Sequence, residues 1–215
     1  MSLHMPITKK RIRNHLQYSF WKYAILVIVA LFGWNLIYTT TRYRPPEDKK
    51  VEFYVSGYAG ALASQDRLQE LMDAIHQEVL PDMEEVTYTT LTQDETYGDM
   101  QLMVWISAAQ GDVYLLDQSQ FENMAGNGAM LELQPFIEDG ALHVEGVDLK
   151  KGYVKDAETG EKALYGIPAD TLTGLNDYNL VTEKKVLCVL AQNGNDENSI
   201  KFLDYLLTHM QATAN

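Results

Sequence analysis

The stretch Gly111–Phe136, GDVYLLDQSQFENMAGNGAMLELQPF, decides the fold. Within it Val113-Tyr-Leu-Leu116 is a short apolar run with an acid at each end, Asp112 and Asp117. A run of that length with no polar alternation suits a strand covered on both faces, as in a parallel sheet. Ser119-Gln-Phe-Glu122 follows as a capping-box pattern, the Ser hydroxyl taking the Glu122 amide and the Glu carboxylate reaching back. The helix it opens is short, because Gly126-Asn127-Gly128 tolerates positive φ and ends it. Leu131, Leu133 and Phe136 then return the chain to the core. A buried strand delivering an acid and a hydroxyl to the mouth of a helix makes a ledge for a polar ligand. The plainer alternative is a well-capped βα turn.

Upstream, Val51–Val55 reads as a strand running into a small-residue loop, Ser56-Gly57-Tyr58-Ala59-Gly60. Ser64 can cap a helix whose Leu68, Leu71, Met72, Ile75 and Val79 share a face, with Pro81 just beyond it. Glu85–Leu91 is β-branched and aromatic, hence a second strand. Asp94–Gln110 reads as a helix with Tyr97, Met100, Val104 and Ala108 on one stripe and Gly111 as its stop. Strand and helix alternate at short spacing, which predicts an α/β fold with a mostly parallel central sheet flanked by helices and joined by right-handed crossovers.

Downstream, Glu138–Val147 shows no clear pattern. Lys155–Lys162 looks like the turn of a small hairpin with Tyr153 and Leu164 on its arms. Ala163–Ile167 reads as a strand entering Pro168-Ala-Asp170-Thr171, and Val186–Leu190 as a last apolar strand. Asn195 can cap a final helix with Ile200, Leu203, Leu207 and Met210 on one face. No internal repeat is visible.

Charge is unevenly placed along the 215 residues, whose net charge is −13. Residues 1–44 carry seven bases (Lys9, Lys10, Arg11, Arg13, Lys22, Arg42, Arg44) and no acid, so the rest of the chain stands at −20. A body that acidic is repelled by phosphate backbones, which argues against nucleic acid as a partner. Between Lys22 and Arg42 there is no charge, and Trp21–Tyr38 is predominantly apolar with Trp21, Tyr23, Trp34 and Tyr38 toward its ends. That is about the 20 residues a membrane-spanning helix needs, with rings at the interfaces. The expectation is a basic cytoplasmic tail (1–20), a transmembrane helix (21–41), a stiff charged linker (42–50) and a single extracytoplasmic α/β domain (51–213). Flanking bases keep the N-terminus in the cytoplasm. A cleaved signal peptide is the competing reading; against it stand the long apolar core and the poor cleavage site at Tyr38-Thr-Thr-Thr-Arg42. No cysteine stands directly after the segment to carry a lipid.

The chemistry of common enzymes is not written here. There is no Gly-x-Ser-x-Gly elbow, no phosphate-cradling Gly-Lys-Ser/Thr loop and no dinucleotide fingerprint after the first strand. Five histidines (4, 15, 76, 143, 209) are scattered, and His76 reads as a surface residue rather than a ligand. Cys188 stands alone, in an apolar run that suits a small buried hydrophobe. No loop shows the alternating acids of a calcium cage. The reading is therefore non-catalytic, with no cofactor and no metal.

Taken in order, several features resemble one family. They are the Ala108-Ala-Gln-Gly111 helix end before Asp112-Val-Tyr-Leu, the Phe121…Ala125…Gly128…Leu131…Leu133 series, Tyr165-Gly-Ile-Pro-Ala169 and the Ser199–Leu207 helix. This order is similar to the sugar-type extracellular solute-binding proteins of ABC importers, over roughly Val51 to Met210. Members of that family have two lobes, the chain crossing to the second soon after the Tyr-Gly-Ile-Pro strand. Here only Asp170–Lys185 separates that strand from the last one, so the resemblance implies the first lobe alone, its crossover shortened to Thr171–Glu183. It also implies ligand contacts from loops at the carboxyl ends of the strands: Ser56, Gly57 and Tyr58, then Asp117 and Gln118, then Asp170 and Thr171. Tyr58 would stack on a sugar ring. One lobe offers a half-site, so the expected role is a membrane-anchored binding domain engaging a transporter subunit or cell-surface protein. The alternative is a weak receptor for a small carbohydrate-type solute, its half-site completed by another chain.

Overall fold

The computed structural model describes residues 9–41, 43, 45–56, 65–91, 95–157, 160–191 and 193–211, so Gly57, Tyr58 and Ser64 lie outside the described residues. Two compact units are present, Met1–Arg44 and Pro45–Asn215. The first is a helix, α1 (Lys9–Thr41), whose stretch Ser19–Thr41 has a mean hydropathy of 1.8.

The second unit is built on a five-stranded sheet in the order β2-β1-β3-β7-β6. The strands are β1 (Lys50–Val55), β2 (Glu85–Thr90), β3 (Val113–Asp117), β6 (Gly166–Pro168) and β7 (Lys185–Val189). β1 pairs in parallel with β2 and with β3, and β7 is antiparallel to both β3 and β6. Four strands thus run one way and β7 the other. A separate hairpin, β4 (Tyr153–Lys155) and β5 (Lys162–Leu164), pairs Tyr153 with Leu164 as the turn signals predict.

The pleat sorts the apolar runs onto two cores. Val113 and Leu115 of β3, with Leu187 and Val189 of β7, face α2 (Gln65–Glu78) and α6 (Asp196–His209), the last helix after the short α5 (Gln134–Glu138). There Leu68, Met72, Ile75, Phe202 and Leu203 are fully buried, and Phe53 meets Phe202 with ring centroids 5.3 Å apart. Tyr114, Leu116, Val186 and Cys188 point to the opposite side, against Leu102 of α3 (Glu95–Ser107) and Phe121 and Met124 of α4 (Gln118–Gly126). Burying each such side chain contributes roughly 1.5–3 kcal/mol. The unbroken run at 113–116 is therefore read correctly as a strand covered on both faces. On the second side Tyr54 stacks on Tyr114 at 5.1 Å and takes the edge of Trp105 at 4.7 Å. Gly111 (φ 79°) sits so close to the Tyr54 ring that a side chain there would collide with it.

Three local expectations are corrected. The helix after β3 starts at Gln118 with Asp117 as its N-cap, so the box is Asp117–Gln120 rather than Ser119–Glu122. Asp117 is the residue leaving the strand, and its extended backbone (φ −63°, ψ 148°) suits a cap one step earlier. The predicted strand 163–167 is two strands, divided at Tyr165, with β5 in the hairpin and β6 in the main sheet. Gly152 permits this, because a Cβ there would land on the Gly166 carbonyl. The last strand, whose direction the sequence left open, enters antiparallel. Finally, the apolar stripe of α3 faces outward: Tyr97, Met100 and Val104 are 70%, 61% and 65% exposed, while Leu102 on the other side is fully buried.

At the opposite end of the strands a polar clasp ties β1, β3 and α6 together. Asp112 is buried and accepts the Glu52 amide at 2.7 Å, Asn193 Nδ2 at 2.9 Å and Asn195 Nδ2 at 3.0 Å. Burial pushes its carboxyl up to about 6, against the pull of those donors. Asn195 stands at the N-cap of α6 as expected, but its Oδ1 accepts Asn198 Nδ2 at 2.7 Å in place of a helix amide, while its Nδ2 donates to Asp112 and to the Lys50 carbonyl.

Candidate functional site

Three strands deliver their carboxyl ends to one edge of the sheet. β1 ends in Ser56, whose amide bonds to the Leu115 carbonyl at 2.8 Å and whose hydroxyl donates to Asp117 Oδ2 at 3.1 Å. The other Asp117 oxygen holds Lys185 Nζ at 2.7 Å. Lys185 is the first residue of β7 and sits opposite Asp117 in the antiparallel register. Its side chain is 5% exposed, while that of Asp117 is 49% exposed. Antiparallel entry is what brings this base to the edge where the parallel strands end.

Gln118 continues the ledge. Its amide donates to the Lys184 carbonyl at 3.1 Å, and its Nε2 to the Lys151 carbonyl at 3.0 Å and to Glu122 at 2.8 Å. Its Oε1 is buried without a hydrogen-bond partner among the described residues, and so is Thr171 Oγ1. Asp170, after β6, accepts the Lys184 amide at 2.9 Å and Lys151 Nζ at 3.0 Å. Partial burial pushes the Asp170 carboxyl up, but those two donors win and hold it below the usual carboxylate range.

Five of the sequence-predicted residues therefore share one edge: Ser56, Asp117, Gln118, Asp170 and Thr171. Gly57 and Tyr58, the other two, lie outside the described residues. The sequence reading missed Lys185 and Lys151, which close the ion pairs. Lys151 lies in a 3₁₀ turn at Leu149–Gly152, between the unpatterned Glu138–Val147 and the hairpin. Between β6 and β7 the chain makes only a 3₁₀ turn, Thr173–Tyr178, and residues 169–184 hold no further lobe.

The cluster is a set of charges already matched to one another. Three of the five histidines are engaged elsewhere: His76 Nε2 lies 2.8 Å from the Met83 carbonyl, His143 pairs with Asp204 at 3.0 Å, and His209 stacks on Tyr205. Among the described residues no group of three His, Cys, Asp or Glu is placed to hold a metal ion. Burial pushes the Cys188 thiol up, consistent with a packing role.

No protein-family model matches the chain, and no curated protein matches it. Among solved structures, one similar chain is an extracellular solute-binding protein family 1 member from Alicyclobacillus acidocaldarius, 16% identical with a TM-score of 0.42, covering 60% of this chain and 29% of that one. Another is an ABC substrate-binding protein from Listeria monocytogenes in complex with cycloalternan, at 21% identity and a TM-score of 0.40, covering 54% and 28%. A third is the GacH receptor of Streptomyces glaucescens, solved unliganded and with acarbose, at 17% and 0.39, covering 59% and 33%. This chain thus spans about a third or less of the length of these neighbours, which are of the kind the sequence resembles.

Proposed function

We propose that residues 51–213 are a non-catalytic binding domain, held outside the cytoplasmic membrane by the helix at 21–41, with the basic residues 1–20 inside and 42–50 as its linker. Its working surface is the edge formed by Ser56, Asp117, Gln118, Asp170 and Thr171, and its partner is a protein of the membrane, such as a transporter subunit, or of the cell surface. The observation that carries this reading is the matched state of the edge. Each oxygen of Asp117 and of Asp170 already has a donor from the same chain. A small solute would have to displace those bonds for modest net gain, whereas a protein surface gains by area. A photo-crosslinking amino acid in place of Gln118 in the full chain tests this. Adducts with an importer permease or a surface protein are expected, and the absence of any adduct would end the proposal.

A second reading, a weak carbohydrate-type receptor completed by another chain, is favoured by the two orphaned polar atoms, Gln118 Oε1 and Thr171 Oγ1. It predicts that some member of a broad sugar panel raises the melting temperature of the domain. A panel that shifts nothing rejects it.

A further inference from the structure

A second site lies on the flank of the domain, along α3. The helix is apolar on both sides. Leu102 is fully buried, Trp105 and Ile106 pack partly against the second core, and yet Tyr97, Met100, Met103 and Val104 are 57–70% exposed. A helix with apolar faces on opposite sides is normally covered on both. The outward side chains line a shallow depression formed by Tyr97, Met100, Gln101 and Val104. The helix carries no base and only two acids, Glu95 and Asp99, in a domain otherwise rich in charge. Asp99 is occupied by Gln120 of its own chain at 2.8 Å.

We propose that this face binds a second copy of the chain, α3 against α3, parallel and in register. Three observations select that occupant. Tyr97 and Val104 are seven residues apart with Met100 between them, the spacing of a coiled-coil seam. Two such faces meet without like charges opposed, although the bodies are strongly acidic. Four exposed side chains of this size offer about 400–500 Å², so a symmetric pair covers on the order of 1,000 Å², the lower bound for a specific contact. That area is marginal for free molecules. It suffices where both copies are confined to one bilayer, because tethering raises the effective concentration.

The parallel direction rests on the anchored reading given above. α3 joins the carboxyl end of β2 to the start of β3, so it runs back toward the edge where β1 begins at Lys50. Both chains enter their domains at that edge. Only a parallel seam leaves the two entry points on the same side.

The test uses the full chain in membranes. Val104→Cys is oxidised and run on non-reducing gels, with Glu145→Cys, exposed outside α3, as control; native Cys188 is buried. At least tenfold more disulfide-linked dimer is expected from Val104→Cys than from the control. Adding Met100→Glu should return it to the control level, with no change in melting temperature because Met100 is 61% exposed. Equal cross-linking in the two, insensitivity to Met100→Glu, or cross-links formed only when Tyr97→Cys is mixed with Val104→Cys (an antiparallel seam) would each overturn the proposal. Alkaline extraction of the same membranes reports the anchor separately. A chain that stays in the pellet without cross-linking rejects the pairing, and one that washes off yet cross-links rejects the anchor and with it the stated reason for a parallel seam.

Discussion

The Asp117–Lys185 pair makes an asymmetric prediction. The bond is 2.7 Å long, but the two partners differ in burial, at 49% exposed for the acid and 5% for the base. Replacing Asp117 with Ala strands a buried ammonium, and breaking such a pair from one side costs about 3–5 kcal/mol. Half of the acid faces water, so the low end, about 3 kcal/mol, applies; loss of the α4 N-cap adds about 1 kcal/mol. Replacing Lys185 with Met removes the buried charge and keeps the apolar stem. Asp117 is then rehydrated and retains the Ser56 hydroxyl. That change should cost about 1 kcal/mol or less, since an apolar isostere often replaces a buried charge without loss. The difference of about 3 kcal/mol corresponds to roughly 6–12 °C in melting temperature for a domain of this size. The double variant should be more stable than Asp117→Ala alone, because it no longer buries an unpaired charge. Urea unfolding of residues 45–215, which form one compact unit with their own core, measures all three at constant m-value. A Lys185→Met cost equal to that of Asp117→Ala, or a double variant at the sum of the two, would refute the reasoning.

Three further outcomes are expected. Asp112 sits at about 6 in the fold against an ordinary 3.8; the native state therefore holds its proton over that interval, and stability falls as pH rises from about 4 to about 6, by on the order of 3 kcal/mol. Asp112→Asn should remove that slope, read as the difference between the two unfolding-versus-pH curves. On α3, Leu102→Ala should cost about 2–4 kcal/mol in urea unfolding of the isolated domain, and Met100→Ala less than about 0.5 kcal/mol; the reverse ranking would show that the helix is rotated. Gly152→Ala places a methyl on the Gly166 carbonyl and should destabilise by about 2 kcal/mol or more, visible as a lowered thermal midpoint.

What the sequence made legible was what local chemistry decides. Val113–Leu116 is apolar at every position, so it must be covered on both faces, and the pleat of β3 covers it. The α2 stripe and the Tyr153/Leu164 hairpin arms likewise follow from spacing alone. Direction was the blind spot. Val186–Leu190 is equally apolar whichever way it runs, and nothing in it distinguishes parallel from antiparallel entry. In a parallel strand Lys185 would stand at the far edge, away from Asp117, so a direction left open by the sequence hid the base that completes the cluster. The stripe on α3 misled for a related reason. A period of 3.6 shows that apolar residues share a face, but Leu102, Trp105 and Ile106 occupy the other side of the same helix, and only packing tells which side is inward.

The two surfaces differ in what they ask of a partner. At the strand ends the strong groups are spoken for: Asp117 by Lys185 and Ser56, Asp170 by Lys151 and the Lys184 amide. What remains unbonded is weak and neutral, Gln118 Oε1 and Thr171 Oγ1. Such an edge rewards a broad, shallow contact more than a small ligand with a few polar groups. The α3 flank offers mainly apolar area with little charge beside it, which favours a partner of the same character. If both proposals hold, pairing along α3 leaves the strand ends of each copy open, because the seam lies on the flank and the cluster at the sheet edge. Met100→Glu should therefore abolish pairing without changing the adducts formed at Gln118. A joint loss would mean that the strand-end partner recognises the paired form rather than the single domain.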